Sequence, residues 1–120
     1  MTAQGSAYIR FRQALDRGNV TEALSAASEL QHVGLAEALE LCLLLRDKSP
    51  ERYPRAALRW HGRLCREVDV GLDEAQAILA ALVVMAGERK ENAAYALAEL
   101  LSRRGLERPC DTPLAWAREA

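Results

Sequence analysis

The stretch PRAALRWHGRLCRE, residues 54–67, sets Arg55, Arg59, Arg63 and Arg66 three or four residues apart, with Trp60, His61 and Cys65 among them. A guanidinium is a planar fork that binds carboxylates and phosphates through paired hydrogen bonds, so a row of them on one helix face is a candidate docking surface. At about 100° per residue the four arginines fall within an arc of about 80°, with Ala57, His61, Leu64 and Val68 opposite. Arg52 extends the row if the kink at Pro54 is small. Trp60 is expected at the rim of the arc, where a large aromatic side chain anchors partners well. Like charges at i, i+4 repel by about 0.2–0.5 kcal/mol per pair in an isolated helix, so something must offset them. The offset comes from Glu22, Glu29, Glu37 or Glu40 on neighbouring helices, from water and salt, or from a partner.

A second constellation is His61 and Cys65, one helical turn apart, with Cys42 on another apolar helix. As metal ligands they fall short, because a closed zinc site takes four ligands in tightly spaced pairs. His32 or Cys110 would have to complete the set. As a Cys–His nucleophile pair they lack the exposure a reactive thiol needs, since Cys65 is expected to point inward with Leu64 and Val68. Gly62 in the middle of the same helix costs about 1 kcal/mol relative to alanine, which is offset if another helix crosses closely there. The chain contains no GxSxG, HExxH, GxxxxGK[ST] or GxGxxG motif. The expectation is a protein without catalytic residues, cofactor or metal. A small metal- or thiol-dependent protein built on His61, Cys65 and Cys42 is the remaining alternative from that class.

The elements that carry these residues read as helices throughout. β-Branched residues are sparse, alanine and leucine dominate, and Gly18, Gly34, Gly87 and Gly105 each follow an apolar helical pattern, where a left-handed C-terminal residue belongs. The spacing predicts helices over 6–17, about 20–32, 35–46, 54–68, 74–86 and 89–104, with a short seventh beginning at Thr112 and Pro113. Asn19 and Glu22 form a capping box, and Ser49 with Pro50 starts a short turn before the main fourth helix. Helix 3 is apolar around most of its circumference, with Glu37 and Glu40 marking a wet edge. Helix 5 has no charge after Glu74. Both read as central. If either stays exposed, it offers an oligomer or partner face, and Trp116 poses the same choice between latching and reaching outward. Connections of a few residues favour antiparallel neighbours. The fold class is therefore all-α, an antiparallel array of six or seven short helices in one domain over 1–120, with residues 1–5 and 117–120 fraying.

The segment FRQALDRGNVTEALSAASEL, residues 11–30, resembles the helical hairpin of a tetratricopeptide-type repeat, with Gly18, Ala23 and Ala27 at the turn and small-residue positions. No second copy follows at a 34-residue period. The segment LAEALELCLLLRDKSPERYPRAALRWHGRLCRE is similar to a group of small, alanine- and arginine-rich helical proteins of actinobacteria. That resemblance implies a helical fold and a bacterial cytoplasm, and supplies no site residues.

Bulk composition narrows the partner. The net charge is −1, so nothing demands nucleic acid, and no second basic patch continues the arginine row. An acidic protein partner is expected at Arg55, Arg59, Trp60, Arg63 and Arg66, in a non-enzymatic adaptor or regulatory module that is also a candidate homodimer. Nucleic acid on the same row is the alternative. Three widely spaced cysteines argue for a reducing compartment. The start has no apolar signal region, and the longest apolar run, residues 77–86, is about half a membrane span. The cytoplasm is the expected location.

Overall fold

The computed structural model describes residues 2–87, 90–103, 105 and 107–119, and the side chains of residues 90, 107–110, 118 and 119 fall outside that set. Among the described residues all regular structure is helical: α1 (Ala3–Arg17), α2 (Val20–Ser28), α3 (Leu35–Lys48), a 3-10 turn (Pro50–Arg52), α4 (Tyr53–Glu67), α5 (Leu72–Met85), α6 (Lys90–Arg103) and α7 (Glu107–Glu119). The all-α array expected from the periodicity is the fold observed. The predicted outer limits of helix 6, Arg89 and Arg104, lie outside the described residues.

α3 organises the rest. It touches α1 and α2 on one side, and α4 and α7 on the other. Leu39, Cys42 and Leu43 enter a large core with Trp60, Leu64, Ile78, Leu82, Met85, Leu97, Leu101 and Trp116. Leu41 and Leu44, on the other side of α3, pack on a smaller core of Phe11, Ala14, Ala23 and Ala26. A helix that serves two cores needs apolar residues nearly all round, which is why α3 shows so little polar face. α4, α5 and α6 then follow one another, and α7 packs on both α6 and α3.

Local chemistry sets the ends. The Asn19 side chain accepts from Glu22 N, capping α2, and Gly18 before it takes a left-handed φ of 71°. Gly105 is left-handed in the same way, but Gly34 and Gly87 are not. Gly34 instead has φ −64° and ψ 159° and begins α3, with the Glu37 carboxylate folded against it. Glu37 is thus buried and not the wet edge its charge suggested. α2 stops at Ser28, short of His32, because Gln4 intercepts the backbone beyond it. Gln4 Nε2 donates to Glu29 O at 2.8 Å, and Gln31 N donates to Gln4 Oε1 at 2.9 Å. α1 starts at Ala3, earlier than Ser6, because Thr2 supplies a side-chain cap to Gly5 N. Pro50 opens the 3-10 turn, and Pro54 falls in the first turn of α4, where its missing N–H is no loss. α7 is longer than expected, with Pro113 inside it.

Two corrections matter for function. Trp60 is 3 % exposed, and its indole N–H donates to Leu35 O at 2.9 Å. It is a core residue with a satisfied polar handle and not an exposed anchor on the rim. α5 is not central: it touches α4 and α6 and leaves its outer face open. Trp116, by contrast, latches inward. Its N–H donates to Asp47 Oδ2 at 2.9 Å, and Arg46 stands 5.8 Å over its ring. Arg46 also donates from Nε to Met85 O at 3.0 Å and from Nη2 to Gly87 O at 3.2 Å, joining α3 to the end of α5.

The burial of Trp60 makes a stability prediction. Trp60→Ala should lower the unfolding free energy by about 3–5 kcal/mol in denaturant titrations, whereas Leu58→Ala on the exposed side of α4 should stay within about 0.5 kcal/mol.

Candidate functional site

α4 carries its buried residues, Tyr53, Ala57, Trp60 and Leu64, on one side and its arginines on the other. Arg52, Arg55, Arg59 and Arg66 are exposed and Arg63 is half-buried. α4 runs unbroken through Gly62, where an added Cβ would meet only the tip of Arg66 at 3.6 Å. No helix crosses closely there, so the expected steric reason for that glycine is absent.

The edge of α4 beside Trp60 borders a groove of about 340 Å³. Ala56 and Trp60 form its α4 wall, and Ala38, Leu41, Cys42 and Leu45 of α3 with Leu24 and Val33 form the opposite side. Arg59, Arg63 and Arg66 stand at the rim. Arg55 lies on the outer arc and does not line the groove. Nothing in the sequence singles out Leu24, Val33 or Leu41 as lining residues. That role comes from the gap between the α1–α2 hairpin and α4, a non-local spacing with no sequence signal.

Three of the four carboxylates expected to offset the row are committed elsewhere. Glu22 and Glu29 pair with Arg10, Glu22 at 3.6 Å and Glu29 in closer contact. Glu40 accepts both Nη groups of Arg12, one at 3.0 Å, and Asp16 accepts from the same guanidinium at 3.1 Å. Arg12 titrates above its ordinary range, chiefly through its hydrogen bond to Glu40. On α4, among the described residues, only Arg63 is paired: its Nε donates to Glu67, which holds that carboxyl below the usual carboxylate range. Arg55, Arg59 and Arg66 have no ion pair among the described residues. Arg63 Nη2 is shielded from solvent and has no hydrogen-bond partner among the described residues. A buried donor left unmade costs about 1–3 kcal/mol, more when charged.

The thiol and imidazole groups do not form a reactive centre. His61 Nε2 lies 2.7 Å from Ala75 O, and a carbonyl only accepts, so Nε2 carries the proton. Cys65 Sγ lies 3.9 Å from that same nitrogen, which therefore offers no lone pair to take the thiol proton. Cys65 is exposed and not inward-facing, because its bearing on α4 lies beyond His61, away from Leu64. Cys42 is buried, and burial pushes its thiol up to about 12, with the nearby Arg59 charge acting in the opposite direction. Glu29 and His32 have an E-x-x-H spacing, but Glu29 is taken by Arg10. Among the described residues no three His, Cys, Asp or Glu side chains converge as metal ligands, and the side chain of Cys110 lies outside that set.

A second cleft of about 440 Å³ between α1, α3 and α7 is lined by Asp16, Glu40, Asp47 and Asp111. The first three are occupied by Arg12, Arg46 or Trp116, which makes it a polar seam between helices.

No protein-family model, no curated protein and no solved structure matches this chain. Among the described residues, no helix is long and apolar enough to cross a membrane.

The thiols give a direct check of this geometry. In a Cys110→Ser background, a thiol reagent near neutral pH should label Cys65 in the native protein and reach Cys42 only in denaturant. Mass spectrometry after timed quenching reads both sites.

Proposed function

We propose that this protein is a non-enzymatic helical interaction module, an adaptor or regulatory unit, that docks an acidic segment of a partner protein along α4. The observation that carries the reading is the apolar groove whose rim holds Arg59, Arg63 and Arg66 while the neighbouring glutamates are engaged by α1. An amphipathic segment suits it. Its apolar side chains would cover Leu41, Leu45 and the Trp60 edge, and its carboxylates would take up the exposed guanidinium donors of Arg59 and Arg66. A hydrogen bond to a charged group contributes about 1.5–3 kcal/mol, so two or three such contacts distinguish an acidic segment from a neutral one. Trp60 takes part through its edge in the α4 wall, and Arg55 acts at longer range through its charge. The reading needs no cofactor and no metal. Placement in a bacterial cytoplasm accompanies it, supported by the free thiols of Cys42 and Cys65 and by the resemblance of residues 35–67.

The test is a nuclear magnetic resonance titration with a helical peptide of alternating leucine and glutamate faces, beside a lysine-for-glutamate peptide and a single-stranded oligonucleotide. The acidic peptide should shift resonances at Val33, Leu41, Arg59 and Arg66, and the lysine peptide should not. Arg59→Glu combined with Arg66→Glu reverses two exposed charges and should weaken the acidic peptide by about tenfold or more with unchanged circular dichroism. Oligonucleotide binding that falls steeply with salt and is lost in the same double variant would replace the protein partner with nucleic acid. Indifference to all three probes would mark the arginine row as solvated surface.

A further inference from the structure

We propose that the α1–α2 hairpin is an arm that rolls about α3 on a hinge at His32–Gly34, and that its roll sets the width of the arginine-rimmed groove. Opening by a partner rests on the acidic segment proposed above, but the motion itself does not. The arm is fastened within itself. Phe11, Ala14, Ala23 and Ala26 pack between its two helices. Arg10 reaches from α1 to Glu22 and Glu29. Gln4 bonds both Glu29 O and Gln31 N, so the chain as far as Gln31 moves with α1. His32, Val33 and Gly34 then lead into α3 outside any helix.

Among the described elements, the arm packs on α3 alone. Leu41 and Leu44 supply the apolar contact, and the Arg12 guanidinium grips both oxygens of Glu40. The two flanks of the arm face open space. The groove of about 340 Å³ separates Leu24 of α2 from Trp60 of α4, and the cleft of about 440 Å³ separates Leu15 of α1 from Ala115 and Trp116 of α7. Each is on the order of ten water volumes, whereas packed interiors leave few gaps larger than one. Apolar contact on a helix surface is non-directional and permits a small roll, but a forked ion pair has one geometry. Glu40 therefore sets the resting angle of the arm. A segment entering the groove pushes Leu24 away from Trp60 and carries α1 toward α7, so one cleft widens as the other narrows.

Distances between paired spin labels test this in a Cys65→Ser/Cys110→Ser background, with Cys42 shielded in the core. Ser25→Cys with Leu58→Cys spans the groove, and Gln13→Cys with Ser102→Cys spans from the arm to α6. All of these positions are exposed and line neither cleft. Gln13→Cys with Ser25→Cys lies within the arm, and Leu58→Cys with Ser102→Cys lies within the rest of the molecule. In Glu40→Gln, and equally in Arg12→Gln, both spanning distributions should broaden by about 2 Å or more. The two internal pairs should keep their wild-type widths, with unchanged circular dichroism. In the wild-type protein, the peptide of leucine and glutamate faces should lengthen the Ser25–Leu58 distance and shorten the Gln13–Ser102 distance. Spanning distributions that stay as narrow as wild type in both variants overturn the hinge. So does equal broadening of all pairs. Peptide binding without the reciprocal change overturns the coupling to the groove. A peptide that does not bind removes the proposed occupant, and the Glu40→Gln distances still decide the hinge.

Discussion

The structure depends on α3 being apolar on opposite sides. Leu39 and Leu43 close the large core, and Leu41 and Leu44 close the smaller one under the α1–α2 hairpin. α3 is the wall that the two cores share. Residues on both sides also explain why a groove exists at all. The hairpin sits on one flank of α3 and α4 on another, and Ala38, Leu41 and Leu45 are left between them as the side that faces the α4 wall. The candidate site is thus a by-product of how one helix divides its surface.

Electrostatics then decides which arginines remain available. The chain is nearly neutral, but its charges are not paired at random. Arg10 and Arg12 on α1 reach across to Glu22, Glu29 and Glu40 and fasten the hairpin to itself and to α3. These pairs are part-exposed and individually modest in energy. They also occupy three of the four carboxylates that the sequence offered to the α4 row. Arg63 Nη2 has no partner among the described residues, and Arg59 and Arg66 at the rim of the groove have no ion pair among them.

Much of the fold was legible because helical periodicity, caps and turn residues are local signals. The Asn19 cap, the left-handed Gly18 and Gly105, and the separate turn at Pro50 all follow from short-range chemistry. The arginine arc was legible for the same reason. What escaped was non-local. Trp60 lies beside the arginines on a helical wheel, and only the carbonyl of Leu35 waiting for its N–H makes it a core residue. α5 looked central because it lacks charge, yet burial depends on the number of neighbours, and among the described residues only α4 and α6 pack along its length. Glu37 looked exposed because glutamate usually is, and the uncapped start of α3 at Gly34 drew it in. Gly62 remains without a packing explanation.

The joint at Arg46 ties together parts of the chain that are far apart in sequence. Its guanidinium holds the last carbonyls of α5 while standing over the Trp116 ring of α7, and Asp47 beside it takes the indole proton. The release of α7 therefore strips a stacking partner from the same group that clamps the α5 terminus. Amide protons in the final turn of α5 and around Trp116 should exchange with deuterium as one cooperative unit, on a schedule separate from that of the α1–α2 hairpin.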